Sequence, residues 1–495
     1  MPGLRTLLGN FTMEIPLALY MLTSFLRFPV FQNLIYEKVC MELRDDPNLC
    51  QNVSAYHDDK EIHEKFNHIY FLSTITLLIP SNVVVLFLGA ACDIWSTKIP
   101  LLIPFTGLVF STANYIFQAA YMESNVYWLL LSDAIFGVCG GYLGVIGTTM
   151  TYSVKATSQS HRSVRIAMME GSIGLGGTIG YALSGTLRSA VGYTWSFVIH
   201  LILQVIGYIY IIAFAKELIN QEEREPSLSE SGEIGRSNNI IVHLIEVLHG
   251  FYRLITKPRQ YRTLLWMCLS ALALELLIFA GLMDIQYSFL RYTLGWGDKE
   301  YGWFSGLSYG LTTATVLLIY PYLKFRGWND SLLGSLGLGL KIISLIVFAF
   351  IVALWMAYVV TVLTMANRFV STGFRSFTSR LVEEAEQGKL FSLIVLLEGL
   401  TALAATSIYN NLYPKTLHIF PGMMILVSAA ILLPSLAALL YSEYKIRKEG
   451  PRIAEDRRTT TSSLAALVGA QRLGGLALRG RHLRKRVDGH SYACK

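Results

Sequence analysis
Apolar stretches long enough to cross a lipid bilayer recur twelve times along this chain, so the fold to expect is an all-α membrane protein. Six lie near 15–36, 69–91, 99–121, 127–150, 165–187 and 195–215, and six more near 264–286, 301–323, 332–352, 355–377, 390–412 and 420–441. Each is read as a helix because hydrocarbon offers no partner for backbone N–H and C=O groups, which a helix satisfies within one segment. The hydrophobic share of 53% over 495 residues fits twelve spans of roughly 21 residues, while only 15% of positions are charged. A secreted disulfide scaffold, a disordered regulator and a nucleic-acid-binding domain are thereby excluded. The net charge of +7 points to no acidic partner, since Lys445 to Lys495 alone holds thirteen Lys/Arg against four Asp/Glu.

The longest interior polar stretch divides six spans from six. The expected organisation is a lobe over 1–215, a cytoplasmic central loop over 216–262, a second lobe over 263–441 and a basic cytoplasmic tail over 442–495. Two six-helix lobes around such a loop are the pattern of major-facilitator transporters, which enclose a solute site at the membrane midplane. Counting Lys and Arg by loop parity places thirty on the side of both termini and eight on the other, so the termini are expected in the cytoplasm. Met1 to Thr12 has one Arg and no apolar core, which predicts no cleavable signal. The first outside loop, Glu37 to His68, carries the sequon at Asn52, the expected glycosylation site, and Cys40 and Cys50, expected to be bridged in an oxidising space.

Several segments resemble the proton-coupled folate transporter family, solute carrier family 46, within the major facilitators. They are Glu14 to Met21, the run from Arg165 to Glu170 and Gly171, the run Phe374-Arg375 through Ser379-Arg380 to Gln387-Gly388 and Ser392, and Ile408 to Pro414. The resemblance implies proton-driven movement of an organic anion and assigns proton coupling to Glu170. It also implies gating contacts between the second and third spans and around the fifth, here Asp93, Lys98, Arg162 and Arg165. The chain departs from the usual pattern by carrying Ser96 and Thr97 where Gly-Arg is customary, and Lys155 where Asp follows Tyr152 three residues on.

Ionisable groups at membrane depth cost on the order of 2.5 to 3.5 kcal/mol or more, so they persist where paired, hydrated or needed. Because the first, fourth, seventh and tenth spans line the cavity in this architecture, Arg27, Asp133, Glu275 and Arg368 are the candidate cavity charges, joined by Arg375. Arg368 and Arg375 are seven residues apart, roughly 10.5 Å along nearly one helix face, a ladder suited to a carboxylate. Asp284, nine residues beyond Glu275, falls on the opposite face and is expected at a solvated outer mouth. Lys341 and Glu398 lie at matching depth and are expected to pair, and His200 reads as a hydrogen-bonded residue of a supporting helix.

Gly306-Leu-Ser308-Tyr-Gly310 has the spacing of a hydrolase nucleophile elbow but lies inside an apolar span, where it reads as small-residue helix packing. No Walker motif, cofactor site or metal site is expected, since His63, Glu64 and His68 lack further ligands at metal spacing. The tail from Ser462 to Arg486 alternates Leu/Ala with Arg, which fits either a segment lying on anionic lipid or one without fixed structure. The chain is therefore read as a secondary transporter, not an enzyme, whose partners are a small organic solute, protons and membrane lipid. It is placed in the plasma membrane, with export from a lysosome or a transporter-like receptor as the alternatives.

Overall fold
The computed structural model describes residues 13–44, 49–50, 56–94, 96–157, 162–217, 245, 249–254, 256–258, 262–382, 387–445 and 448. They divide into two compact units, Met1–Leu439 and Leu440–Lys495; of the second, 440–445 and 448 are described, and they are helical. Among the described residues there is no strand.

The first half of the chain forms α1 (Glu14–Arg44), α2 (Lys60–Ile94), α3 (Lys98–Ala120), α4 (Leu129–Val138), α5 (Gly141–Lys155) and α6 (Arg162–Phe214). The second half forms α7 (Arg262–Leu294), α8 (Asp298–Ala314), α9 (Tyr320–Phe325), α10 (Asp330–Ala349), α11 (Leu354–Leu363), α12 (Asn367–Arg380), α13 (Gln387–Leu417) and a last helix from Met423. Among the described residues, ten helices are long and apolar enough to cross a membrane. One of them, Met168–Phe214, contains two. Unbroken, α6 would run to about 80 Å at 1.5 Å per residue, far beyond a bilayer core of about 30 Å. Gly192, at φ 76° and ψ 176°, breaks it and leaves the fifth and sixth spans joined by almost no loop. Asp298–Phe325 is a further spanning length, interrupted by a π turn over Thr315–Ile319 and absent from the ten. These two segments account for the gap between ten and the twelve expected.

Small residues set how closely the helices pack. Gly176 and Gly180 of α6 lie against the backbone of α1, where an added Cβ would come within 2.8 Å of the Ala18 carbonyl and 2.6 Å of that of Leu22. Gly306 and Gly310 seat α8 against Ala182 and Thr178 of α6, so the elbow-like motif is a helix contact. The fourth span is interrupted at its middle by Gly140 and Gly141, both with positive φ, and Ser81 of α2 occupies the space a side chain at Gly141 would need. The second and eleventh spans, α2 and α13, pack together, as do α6 and α8, which joins the two halves along two seams.

At one end of the bundle a disulfide links Cys40 to Cys50, with Cα atoms 5.7 Å apart. Beside it the buried Lys38 ammonium donates to the carbonyls of Tyr121 (3.0 Å), Met122 (3.0 Å) and Ser124 (3.2 Å). Those carbonyls lie at and just beyond the C-terminal end of α3, where unpaired acceptors and the helix dipole favour a cation. We use this "disulfide end" as the reference direction below.

Candidate functional site
The disulfide end is closed by contacts between residues far apart in the sequence. Arg188 of α6 forms a bidentate ion pair with the fully buried Asp298 at the start of α8, Nε to Oδ2 at 2.5 Å and Nη2 to Oδ1 at 2.6 Å. Beside it Gly185 meets the backbone of Lys299 so closely that a Cβ would stand 2.2 Å from that Cα. A second seal joins α1 to α7. Asn33 Oδ1 accepts from Arg291 Nη1 (2.7 Å) and from the Tyr287 hydroxyl (2.8 Å), while its Nδ2 donates to Glu37 Oε1 at 2.9 Å. Arg188, Asp298, Asn33 and Arg291 stand near the ends of spans in the sequence, where charged and polar residues are ordinary, and their partners are more than 100 residues away.

Below this seal an aromatic group gathers from both halves. Phe25 of α1 lies with ring centroids 4.7 Å from Tyr181 of α6 and 5.0 Å from Tyr309 of α8, and Phe28 stands edge-on to Tyr181 at 6.1 Å. Gly177 admits the Tyr309 ring, which a Cβ there would approach to 2.5 Å. The Arg368 guanidinium of α12 rests over Tyr309, 4.6 Å from the ring centroid. It has no carboxylate partner among the described residues, and it is only partly buried.

Two candidate charges of the first half meet through a residue the sequence did not single out. Arg27 Nη1 donates to the Tyr115 hydroxyl (2.9 Å), which donates to Asp133 Oδ1 (2.6 Å), while Ser73 donates to Asp133 Oδ2 (2.6 Å). Four spans are tied by that chain, and it leaves the partly buried Arg27 guanidinium without a direct carboxylate contact among the described residues. Tyr115 lies on the third span, outside the four spans expected to line the cavity, and nothing in its local sequence marks it.

The second half requires corrections. Glu275 does not face an open cavity: it is buried and accepts from Lys341 Nζ at 2.7 Å, an ion pair sealed between α7 and α10. Lys341 therefore does not pair with Glu398. Glu398 instead takes Arg375 Nη2 at 3.1 Å, with the two side chains 40% and 39% exposed. The Arg ladder is thus divided, Arg368 lying against an aromatic ring and Arg375 against a carboxylate. Asp284 is buried rather than solvated, held by the Thr406 hydroxyl (2.6 Å) and Asn410 Nδ2 (2.9 Å). His200 is buried, and neither ring nitrogen has a hydrogen-bond partner among the described residues.

Glu170 is exposed, four and seven residues before Gly174 and Gly177, which meet Thr313 and Tyr309 of α8. It shares roughly that face of α6 and lies within electrostatic reach of Tyr309 and Glu398. Arg165 pairs with Glu14 at 2.9 Å, both buried, which joins α6 to α1 within the first half. Lys98 donates to the Ile212 carbonyl at 2.9 Å, also within the first half. The side chains of Asp93 and Arg162 and the whole of Asn52 lie outside the described residues.

Helices in two sets sealed at one end, with an aromatic and cationic site where the sets meet, define a solute carrier of the alternating-access kind. The sequence profile of the Major Facilitator Superfamily matches residues 59–406, and the chain belongs to that family. It is a multi-pass membrane transporter and not an enzyme. Among curated relatives, it is 26% identical over 417 residues to the proton-coupled folate transporter of Rattus norvegicus, covering 82% of this chain and 86% of the relative. It is 25% identical over 436 residues to the lysosomal proton-coupled steroid conjugate and bile acid symporter SLC46A3 of Gallus gallus, covering 86% and 92%. The resemblance read from the sequence therefore holds. Among solved structures, the human organic anion transporter MFSD10 (TETRAN) superposes with a TM-score of 0.61 at 16% identity, covering 87% of this chain and 98% of that one. An auto-inhibited peptide transporter of the POT family gives 0.60 at 13%, covering 87% and 96%, and both show the fold.

Proposed function
We propose that the protein moves an amphipathic organic anion with a flat ring system into the cytosol by alternating access, together with protons. The observation that carries this reading is the Arg368 guanidinium on Tyr309, next to Phe25 and Tyr181, where the two halves of the chain meet. A guanidinium offers paired planar donors to a carboxylate or sulfate, and flanking rings bury an apolar or aromatic body. Folates and steroid conjugates, the solutes in the relatives' names, both combine an acidic group with a ring system. Arg27 is a second candidate anion contact, since it is bound to a tyrosine hydroxyl and not to a carboxylate.

In this reading the halves 1–215 and 263–441 rock as lobes, and Glu170 carries the coupled proton beside the Arg375–Glu398 pair. With the disulfide end facing an oxidising space and both termini in the cytosol, a plasma-membrane importer and a lysosomal exporter have the same orientation. The mechanism is then common to both compartments, and the plasma membrane is the placement we favour. Uptake of a labelled panel comprising a folate, a steroid sulfate, a bile acid and an uncharged sterol, at pH 5.5 and 7.4 on the disulfide side, tests it. Saturable uptake of at least one anion, faster at pH 5.5 and absent for the uncharged sterol, is the expected result. Uptake of none of the anions in correctly inserted protein refutes it and supports a transporter-like receptor.

A further inference from the structure
The disulfide end holds a histidine placed to bind a proton. His63 lies in the first turn of α2 and is fully buried. Its Nε2 is 2.8 Å from the His57 carbonyl, which can only accept, so Nε2 carries a hydrogen. Its Nδ1 is 2.9 Å from Ser288 Oγ, which in turn accepts from Asn67 Nδ2 at 3.1 Å. In the neutral ring Nδ1 holds a lone pair, and the Ser288 hydroxyl donates to it. Ser288 belongs to α7 in the second half, while His63 and Asn67 belong to α2 in the first. This hydrogen bond therefore crosses between the halves at the sealed end.

The surroundings of the ring leave little to neutralise a second charge. From α1, Tyr36 presents its ring at 5.3 Å, and from α7 Tyr292 does so at 5.5 Å. The Arg291 guanidinium of α7 lies 3.7 Å from the centroid of the Tyr36 ring. Tyr413 of α13 lies beside Ser288. His57 and Asp59 precede the helix; Asp59 is already bonded to Arg44 at 2.6 Å, and Glu64 is exposed. A proton on Nδ1 turns that atom from acceptor to donor, so the Ser288 hydroxyl hydrogen must turn away. It also buries an imidazolium close to Arg291. Separation of α2 from α7 admits water to the ring and relieves both effects.

We propose that His63 Nδ1 is a proton-binding site on the disulfide side, and that occupying it opens the seal between α2 and α7. Proton capture and opening are then linked, because the open state binds the proton more tightly than the closed one. This rests on the proton-coupled reading above and adds to it a second protonation site, at the end away from Glu170.

The test is pulsed-EPR distance measurement between spin labels at the exposed position 68 on α2 and at the half-buried position 293 on α7, across the contact that His63 and Ser288 make. The full-length protein is held in lipid nanodiscs between pH 7.5 and 5.5. In the parent protein acidification should raise the open-to-closed ratio about tenfold, as follows when the open state binds the proton about tenfold more tightly than the closed one. H63Q should remove the response, because a carboxamide can keep both bonds but takes up no proton in this range. S288A should open the seal already at pH 7.5. A pH response in H63Q equal to the parent's, or an S288A protein as closed as the parent at pH 7.5, overturns the proposal. Exchange of a labelled anion at equal pH on both sides, measured on the same preparations, separates the two readings: no exchange by the parent defeats transport itself. Exchange together with a parent-like H63Q curve defeats only the His63 site.

Discussion
Replacing Arg188 by Gln should unlock the disulfide end. Asp298 is 0% exposed, and Arg188 supplies both hydrogens that face its carboxylate. Removing one member of a buried ion pair costs about 3 to 5 kcal/mol, because the remaining charge is left without a partner in a medium that solvates it poorly. In the open state the Asp298 carboxylate can reach water, so that loss falls mainly on the closed state. Taking the lower figure, the open-to-closed ratio rises by about 10²-fold. The assay is the labelling rate of a cysteine at position 305, buried on α8 beneath the seal, by a membrane-impermeant thiol reagent applied at the disulfide end. The background has Cys92, Cys139, Cys268 and Cys494 replaced. Labelling should be slow in the parent and approach a hundredfold faster in Arg188→Gln. The double variant Arg188→Gln with Asp298→Asn should recover much of the closure, since no charge is then stranded. Refutation is equally direct: an Arg188→Gln protein labelled at the parent rate means the ion pair does not hold the seal, and a double variant as open as the single one means stranded charge is not the cause.

Other outcomes follow from the same geometry. Arg368→Ala should raise the KM for an anionic solute about tenfold or more with near-parent folded yield. Lys341→Met should instead lower thermal stability by about 3 to 5 kcal/mol by leaving Glu275 unpaired; equal effects of the two on KM in folded protein would remove Arg368 from the site. Glu170→Gln should abolish concentrative uptake driven by a pH gradient while solute exchange continues, because exchange needs no net protonation cycle; an unchanged response of concentrative uptake to pH excludes Glu170 as the coupling residue. Asn52→Gln should remove the glycosidase-sensitive mobility shift on electrophoresis, and a shift that survives it contradicts the topology.

The sequence was most informative along the membrane normal. Hydropathy locates the spans and small residues mark close packing, as at Gly176 and Gly306. What it lacks is the azimuth of each helix and the identity of its neighbour. Lys341 and Glu398 match in depth, yet packing turns Lys341 towards Glu275 on α7 and leaves Glu398 to Arg375 on α12. Nine residues place Asp284 opposite Glu275, but that face meets α13, whose Thr406 and Asn410 hold it, and not solvent. Arg368 was legible as a functional cation from its depth alone, whereas its aromatic floor at Tyr309 required the fold. The Arg188–Asp298 seal was not legible, since both residues flank short connections and only assembly of the halves brings them together.

Lys38 bears on how the molecule can deform. Its ammonium is fastened to three carbonyls where the third span ends, and two residues later the chain is stapled by Cys40 to Cys50. The outer tip of α1 is therefore braced against bending independently of α3. A push applied at the Asn33–Arg291 contact must then be transmitted as torque to the helices attached to it, much as a braced beam turns about its bearing where a free one would flex. Cutting that brace, by Lys38→Met or by reduction of the disulfide, should blur the motion into local fraying of one helix, so that movement at one end of the bundle is no longer felt at the other.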